Sequence, residues 1–175
     1  MATVADAGTY CSAHVVNLDQ LTLDLKHAGT TPAFAFITPG LCHDGHDAPC
    51  ANGKPGGLIS IDRFLKTWVR RITSSPAFRK NGMLVITFDE SGDEATACCG
   101  EQGLPGGPKP GLTGPGGGRV GAVVLSPFIR PGTRSTVDYN HYSLLRTVER
   151  NFGLKPLGYA ALPDMRVFGS DVFDR

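Results

Sequence analysis

Apolar positions along the chain follow two kinds of pattern. Ile61, Phe64, Leu65, Trp68, Val69 and Ile72 recur at helical spacing as one continuous stripe, with Lys66, Arg70 and Arg71 off it as a solvated face. A helix is also expected from Asn17 to about Gly29, with Asn17 as its cap and Gln20 completing a capping box. A further helix starts after Asn140, turns Tyr142, Leu145, Val148 and Phe152 toward the core, and closes at Gly153. Between these lie short unbroken apolar runs, Ala33–Ile37, Met83–Phe88 and Val120–Leu125, each bounded by turn residues. They read as buried strands. Short apolar strands alternating with helices predict an α/β fold, a mostly parallel sheet with helices on both faces. Ligands gather at the carboxyl ends of strands in such sheets. Two of the predicted strands lead into segments bearing acidic residues.

Length and composition narrow this picture. The chain has 175 residues, which favours a single domain, 1–175, that buries enough surface to fold without a metal or disulfide. Seventeen basic against 16 acidic residues leave a net charge of +1, without the basic excess of a phosphate-neutralising nucleic-acid binder. No apolar run approaches the roughly 18 residues of a membrane-spanning helix, and Met1–Asp6 has neither the basic nor the apolar region of a signal peptide. Twenty-three Gly and 13 Pro exceed ordinary usage of about 12% for the pair. They concentrate in Gly100–Gly118, which bridges two predicted strands and is expected to form an active-site flap. The Gly114–Arg119 stretch lacks the spacing of a phosphate-cradling loop.

Chemistry-bearing residues cluster in three places. Cys42-His43-Asp44-Gly45-His46-Asp47 puts two imidazoles and two carboxylates after a predicted strand, a set suited to a divalent metal. Asp89-Glu90 follows the second strand directly, and adjacent carboxylates stay ionised only beside a cation or strong donors. His141 stands at a helix start, where its protonated form is disfavoured, leaving a neutral imidazole able to bind metal or accept a proton. Five cysteines, Cys11, Cys42, Cys50, Cys98 and Cys99, leave an odd thiol. At least one disulfide is expected, Cys42–Cys50 first, with thiolate ligation of a structural zinc as the alternative.

Five stretches, in order, resemble the bacterial phosphoesterase family: Phe34-Ala-Phe-Ile-Thr-Pro, Leu41-Cys-His-Asp-Gly-His-Asp, Leu84-Val-Ile-Thr-Phe-Asp-Glu, Gly118-Arg-Val-Gly-Ala-Val-Val-Leu-Ser-Pro and Asn140-His-Tyr-Ser-Leu-Leu-Arg-Thr-Val-Glu. That family contains acid phosphatases and phospholipases C of the alkaline-phosphatase-like superfamily. The resemblance implies a partial alkaline-phosphatase-like fold and metal-dependent hydrolysis of phosphate esters. It assigns Asp89, Glu90, Asp44 and His46 to a divalent metal of unspecified identity, with Asp47 a weaker candidate. His141 and His46 become the catalytic imidazoles, gathered with the carboxylates around one cation.

Two positions depart from the family pattern, which has asparagine in place of Gly40 and of His43. The family's Glu-Asn-x-Ser/Thr motif, and the nucleophile beyond it, have no match here, so the resemblance is to the carboxyl-terminal part. The implied partners are a phosphate-ester substrate and a complementary amino-terminal part or a second copy of the chain. Full-length members are expected to be secreted or in the cell envelope. The alternative is a non-catalytic metal- or anion-binding remnant or a partner-pairing module.

Overall fold

Residues 7–91 and 116–173 are described by a computed structural model of the chain. Cys98, Cys99 and most of the predicted flap, 100–115, lie outside the described residues. The chain divides into two compact units, residues 1–82 and 83–175, each taken by itself below. The fold is mixed α/β, with five α-helices and two strands among the described residues.

The first unit is helical. It comprises α1 (Ala7–His14), α2 (Asp19–Asp24), α3 (Gly57–Thr73) and α4 (Pro76–Asn81). The apolar stripe of α3 is as predicted: Trp68 is buried, and Ile61, Phe64, Leu65, Val69 and Ile72 are half-buried. Trp68 packs with Leu21 and Leu25 of the α2 segment, and Leu18, Ile37, Phe64 and Ile72 close around them. The Arg71 guanidinium lies 4.9 Å from the Trp68 ring centroid and donates to the Thr22 hydroxyl, so this off-stripe cation fastens α3 to α2.

Helix α2 is shorter than its pattern suggests. Its N-cap is Leu18, not Asn17, and has no side-chain cap bond, although the Asn17 side chain accepts from the Asp19 amide at 2.9 Å. Gln20, however, donates forward to Asp24 instead of reaching back to complete a capping box. The hydroxyls of Thr30 and Thr31 both donate to the Asp24 carbonyl, and these contacts fold the chain back well before Gly29.

The second unit holds β1 (Leu84–Thr87), β2 (Ala122–Leu125) and α5 (His141–Asn151). The strands pair antiparallel, with Leu84 opposite Leu125 and Thr87 opposite Ala122. The parallel sheet predicted from the alternation of runs and helices is therefore not formed among the described residues. Ala33–Ile37 forms no strand: Phe34 and Phe36 are 57% and 85% exposed, and only Ile37 turns into the core. An apolar run needs a ladder partner to become a strand, and its periodicity specifies none.

Asn140 caps α5 as predicted, accepting from the Ser143 amide while the Ser143 hydroxyl accepts from the Asn140 amide. At the other end Gly153, at φ +64, allows the amides of Gly153 and Leu154 to bond back to Arg150 and Glu149, a Schellman closure. Tyr142 and Val148 are half-buried as expected, but the other two positions are not. Leu145 is 40% and Phe152 46% exposed, while Ser143, Thr147 and Glu149 are buried.

The reason lies in the irregular segment after the helix, whose backbone needs hydrogen-bond partners. The Thr147 hydroxyl accepts from the Phe168 amide, and Glu149 Oε1 accepts from the Leu157 amide. Arg146 donates to the carbonyls of Ala160 and Leu162. Polar side chains of α5 thus serve as the ladder that the segment lacks.

Removing the indole that anchors the first unit tests its core. Trp68→Ala is expected to destabilise that unit by about 3 kcal/mol, the usual cost of truncating a buried aromatic. The measurement is the urea midpoint followed by circular dichroism; an unchanged midpoint would mean that the α2–α3 packing contributes nothing to stability.

Candidate active site

In the second unit the antiparallel register decides which residues share an end of the sheet. Thr87 closes β1 opposite Ala122, which opens β2. Asp89, just past β1, and Arg119, just before β2, therefore lie toward the same end. The Ser91 amide donates to the Gly117 carbonyl at 2.7 Å, holding the two flanking segments together. The Thr87 hydroxyl donates to the Gly121 carbonyl at 3.0 Å and extends the tie.

His141, the first residue of α5, reaches this end as well. Its Nε2 lies 2.8 Å from the main-chain carbonyl oxygen of Asp89. A carbonyl only accepts, so Nε2 carries a proton and donates it. In the neutral ring Nδ1 is then the nitrogen with a lone pair. A metal-binding or proton-accepting histidine is commonly arranged this way, its other ring N–H held by a carbonyl or carboxylate.

A cleft of about 510 Å³ opens here, within the range of roughly 300–1,000 Å³ for small-molecule sites. Asp89, His141, Arg119 and Arg134 line it, with Val85, Val124 and Leu144 among its apolar walls. Glu90 is exposed but does not line the cleft. The far wall is braced by Asp171, whose carboxylate accepts from the hydroxyls of Tyr139, at 2.8 Å, and of Ser135. Tyr139 also meets Phe168 edge-on at 4.9 Å.

Burial pushes the Asp171 carboxyl up, but hydrogen bonds from Ser135, Tyr139 and the backbone prevail and leave it below its ordinary 3.8. Burial first, then the bond to Asp171, raises the Tyr139 phenol above 10.0. The brace is therefore intact at neutral pH. Its contribution to stability is present above Asp171's ordinary value and is lost only as pH falls through the depressed one.

The other predicted cluster belongs to the first unit. Cys42 and Cys50 are joined by a disulfide, as expected, and Cys11 is a free, exposed thiol. The enclosed loop is braced from inside. Asp44, half-buried, accepts from the His46 amide at 2.9 Å, and the Asp47 amide donates to Leu41. The Asp47 carbonyl accepts from Gly57 at 2.8 Å at the start of α3. Gly56, at φ +67, is required there, because a Cβ would stand 1.9 Å from the Asp47 carbonyl oxygen. His43 points a different way, its ring 6.0 Å from that of Phe64.

His46 Nδ1 lies 3.0 Å from the Asp47 carboxylate. That hydrogen bond, and then the charge of Asp47, hold the imidazole pKa above its ordinary 6.5. Such a ring must lose a more tightly held proton before it can bind metal.

The donor types fit a divalent cation: hard carboxylate oxygens beside an imidazole whose second nitrogen is already held. Within neither unit do three or more His, Cys, Asp or Glu side chains converge among the described residues. Each unit presents its candidates as a partial set, Asp44, His46 and Asp47 in one, and Asp89, Glu90 and His141 in the other.

The Phosphoesterase family profile matches residues 3–155. The chain belongs to that family. Among curated proteins it is 26% identical over 130 residues to an acid phosphatase of Aspergillus fumigatus, covering 73% of this chain and 23% of that protein. It is 32% identical over 138 residues to the phosphate-repressible acid phosphatase of Penicillium chrysogenum, covering 77% of this chain and 26% of that protein. It is 25% identical over 171 residues to the phosphatidylinositol-3-phosphatase of Mycobacterium tuberculosis, covering 91% of this chain and 47% of that protein. The chain thus spans from about a quarter to about half the length of these relatives. No solved structure matches it. No helix among the described residues is long and apolar enough to cross a membrane.

Sequence reasoning passed over Arg134 and the Tyr139–Asp171 brace, and weighed Arg119 only as part of a rejected phosphate loop. Arg119 was findable only by anyone who knew that the strands pair antiparallel. Asp171 gave no signal, being one acidic residue in an unpatterned tail.

The His46 assignment has a direct check. In a histidine proton titration followed by NMR, His46 should show its midpoint above 6.5, and Asp47→Asn should bring it back toward that value. A midpoint that ignores the substitution would remove Asp47 as the cause.

Proposed function

We propose that this phosphoesterase chain serves metal-dependent hydrolysis of phosphate esters, of the phosphatase or phospholipase C type. The observation that carries the reading is the cleft lined by Asp89 and His141, with the imidazole held through Nε2 so that Nδ1 keeps its lone pair as an acceptor. Family membership supplies the reaction class. A bound divalent ion would polarise the phosphoryl oxygens and stabilise an alkoxide nucleophile. Asp89 and Glu90 are the proposed metal carboxylates of the second unit. Asp44 and His46 are proposed for the same task in their own loop.

His141 holds or takes the proton at Nδ1, while its Nε2–H keeps the ring fixed on the Asp89 carbonyl. Proton transfer by a positioned imidazole is worth roughly a hundredfold to ten-thousandfold in rate. The sequence contains no Glu-Asn pair, so the family's Glu-Asn-x-Ser/Thr segment is proposed to come from elsewhere. By itself the chain should bind metal and turn over little.

A second reading, a partner-pairing module without turnover, is favoured by one observation. Phe34, Phe36, Leu41, Leu58 and Ile59 of the first unit are all more than half exposed, and large apolar side chains left in solvent in such number are commonly covered by a partner.

Calorimetry with zinc, manganese, magnesium and calcium separates the two. The proposal expects binding to at least one ion, weakened at least tenfold in the Asp89→Ala, Glu90→Ala double variant. An aryl phosphate assay of the chain alone should give little product, and none after His141→Ala. Absence of binding for every ion would leave the pairing module standing and the enzyme reading without support.

A further inference from the structure

The cleft holds two guanidiniums for which the metal reading has no use. We infer that Arg119 and Arg134 bind the phosphoryl oxygens of the substrate, and that they do so once a cation has entered the cleft. This inference rests on the phosphate-ester reading above.

Three observations carry it. The strand register brings Arg119 to the sheet end that Asp89 occupies, and both arginines line the cleft with Asp89 and His141. Neither is committed elsewhere by an ion pair among the described residues, where the pairs are His46–Asp47 and Lys66–Asp62. Asp171, another acid of the cleft lining, is already occupied by Tyr139 and Ser135. A guanidinium presents paired N–H donors that match two phosphoryl oxygens, and it remains charged at every physiological pH.

The order of binding follows from charge. Asp89, Asp138 and Asp171 face the cleft against two arginines, so its lining is net negative. An empty cleft of that sign repels a phosphate dianion. One divalent ion reverses the sign and leaves both guanidiniums free to close on the anion. Apolar side chains such as Val85, Val124 and Leu144 are then left to meet the alcohol part of the ester.

The probe is inorganic phosphate, titrated calorimetrically into the chain with and without saturating magnesium or manganese. Phosphate should bind at least tenfold more tightly with the ion present. Arg119→Gln and Arg134→Gln should each weaken that binding about tenfold, the usual worth of a hydrogen bond to a charged group. Lys at either position should recover only part of the loss. Both side chains are exposed, so thermal melting should not change, and direct metal affinity should not fall because each substitution only removes positive charge from the cleft. Failure of the metal reading registers separately, as missing heat in a cation titration without phosphate. Phosphate bound equally well with and without the ion, or unaffected by the double arginine substitution, overturns the inference itself.

Discussion

One ring nitrogen donating to one main-chain carbonyl joins the elements on which the rest of the second unit's chemistry depends. Nε2 of His141 and the Asp89 carbonyl are 52 positions apart in sequence and 2.8 Å apart in space. The bond ties the start of α5 to the end of β1 and at the same time chooses the tautomer. Its net worth to stability is about 1 kcal/mol, small against any domain's total. Its importance is geometric: a capping box makes Asn140 the helix boundary, so His141 occupies the first turn and cannot drift along the helix.

That arrangement would be loose without the segment after α5. Residues 154–173 have almost no regular structure, and so their backbone groups must find partners in side chains. Thr147, Glu149 and Arg146 supply them from α5, and Asp171 returns the favour by holding Ser135 and Tyr139 on the cleft wall. Oε2 of Glu149 is the one buried side-chain nitrogen or oxygen among the described residues left without a hydrogen bond, so this carboxylate is satisfied through Oε1 alone. Polar burial here adds to the apolar contacts of half-buried Tyr142, Leu144 and Val148, among them the edge-on meeting of Tyr142 with Tyr159.

Local signals were legible in the sequence where a residue's environment is set by its near neighbours. The α3 stripe, the Asn140 cap, the Gly153 closure and the Cys42–Cys50 pair all depend on spacing within one element or one loop. What depends on distant partners was not legible. Strand direction is set by which chain segment lies alongside, so two apolar runs of the same appearance gave an antiparallel pair where alternation with helices suggested a parallel sheet. Phe34 and Phe36 follow the same rule: their hydrophobicity states a demand for cover and says nothing of its source. The exposure of Leu145 and Phe152 on α5 belongs here too, since both have the right spacing, and the decision was taken by the unpaired backbone of another segment. The candidate carboxylates and imidazoles were visible as residue types at plausible strand ends; Arg119 and Arg134 were not, because only the register and the cleft give them a place.

The two imidazoles assigned to catalysis illustrate how environment separates identical side chains. His46 faces a carboxylate, which stabilises the charged ring and raises its pKa. His141 faces a carbonyl, which asks for one N–H and leaves the second nitrogen as an acceptor. A ring whose proton is shared with a carboxylate must give that proton up before it can ligate a metal. A ring held through one nitrogen is ready to use the other. Among the residues proposed for the site, the geometry therefore leaves Nδ1 of His141 open as an acceptor, while Nδ1 of His46 is taken by Asp47.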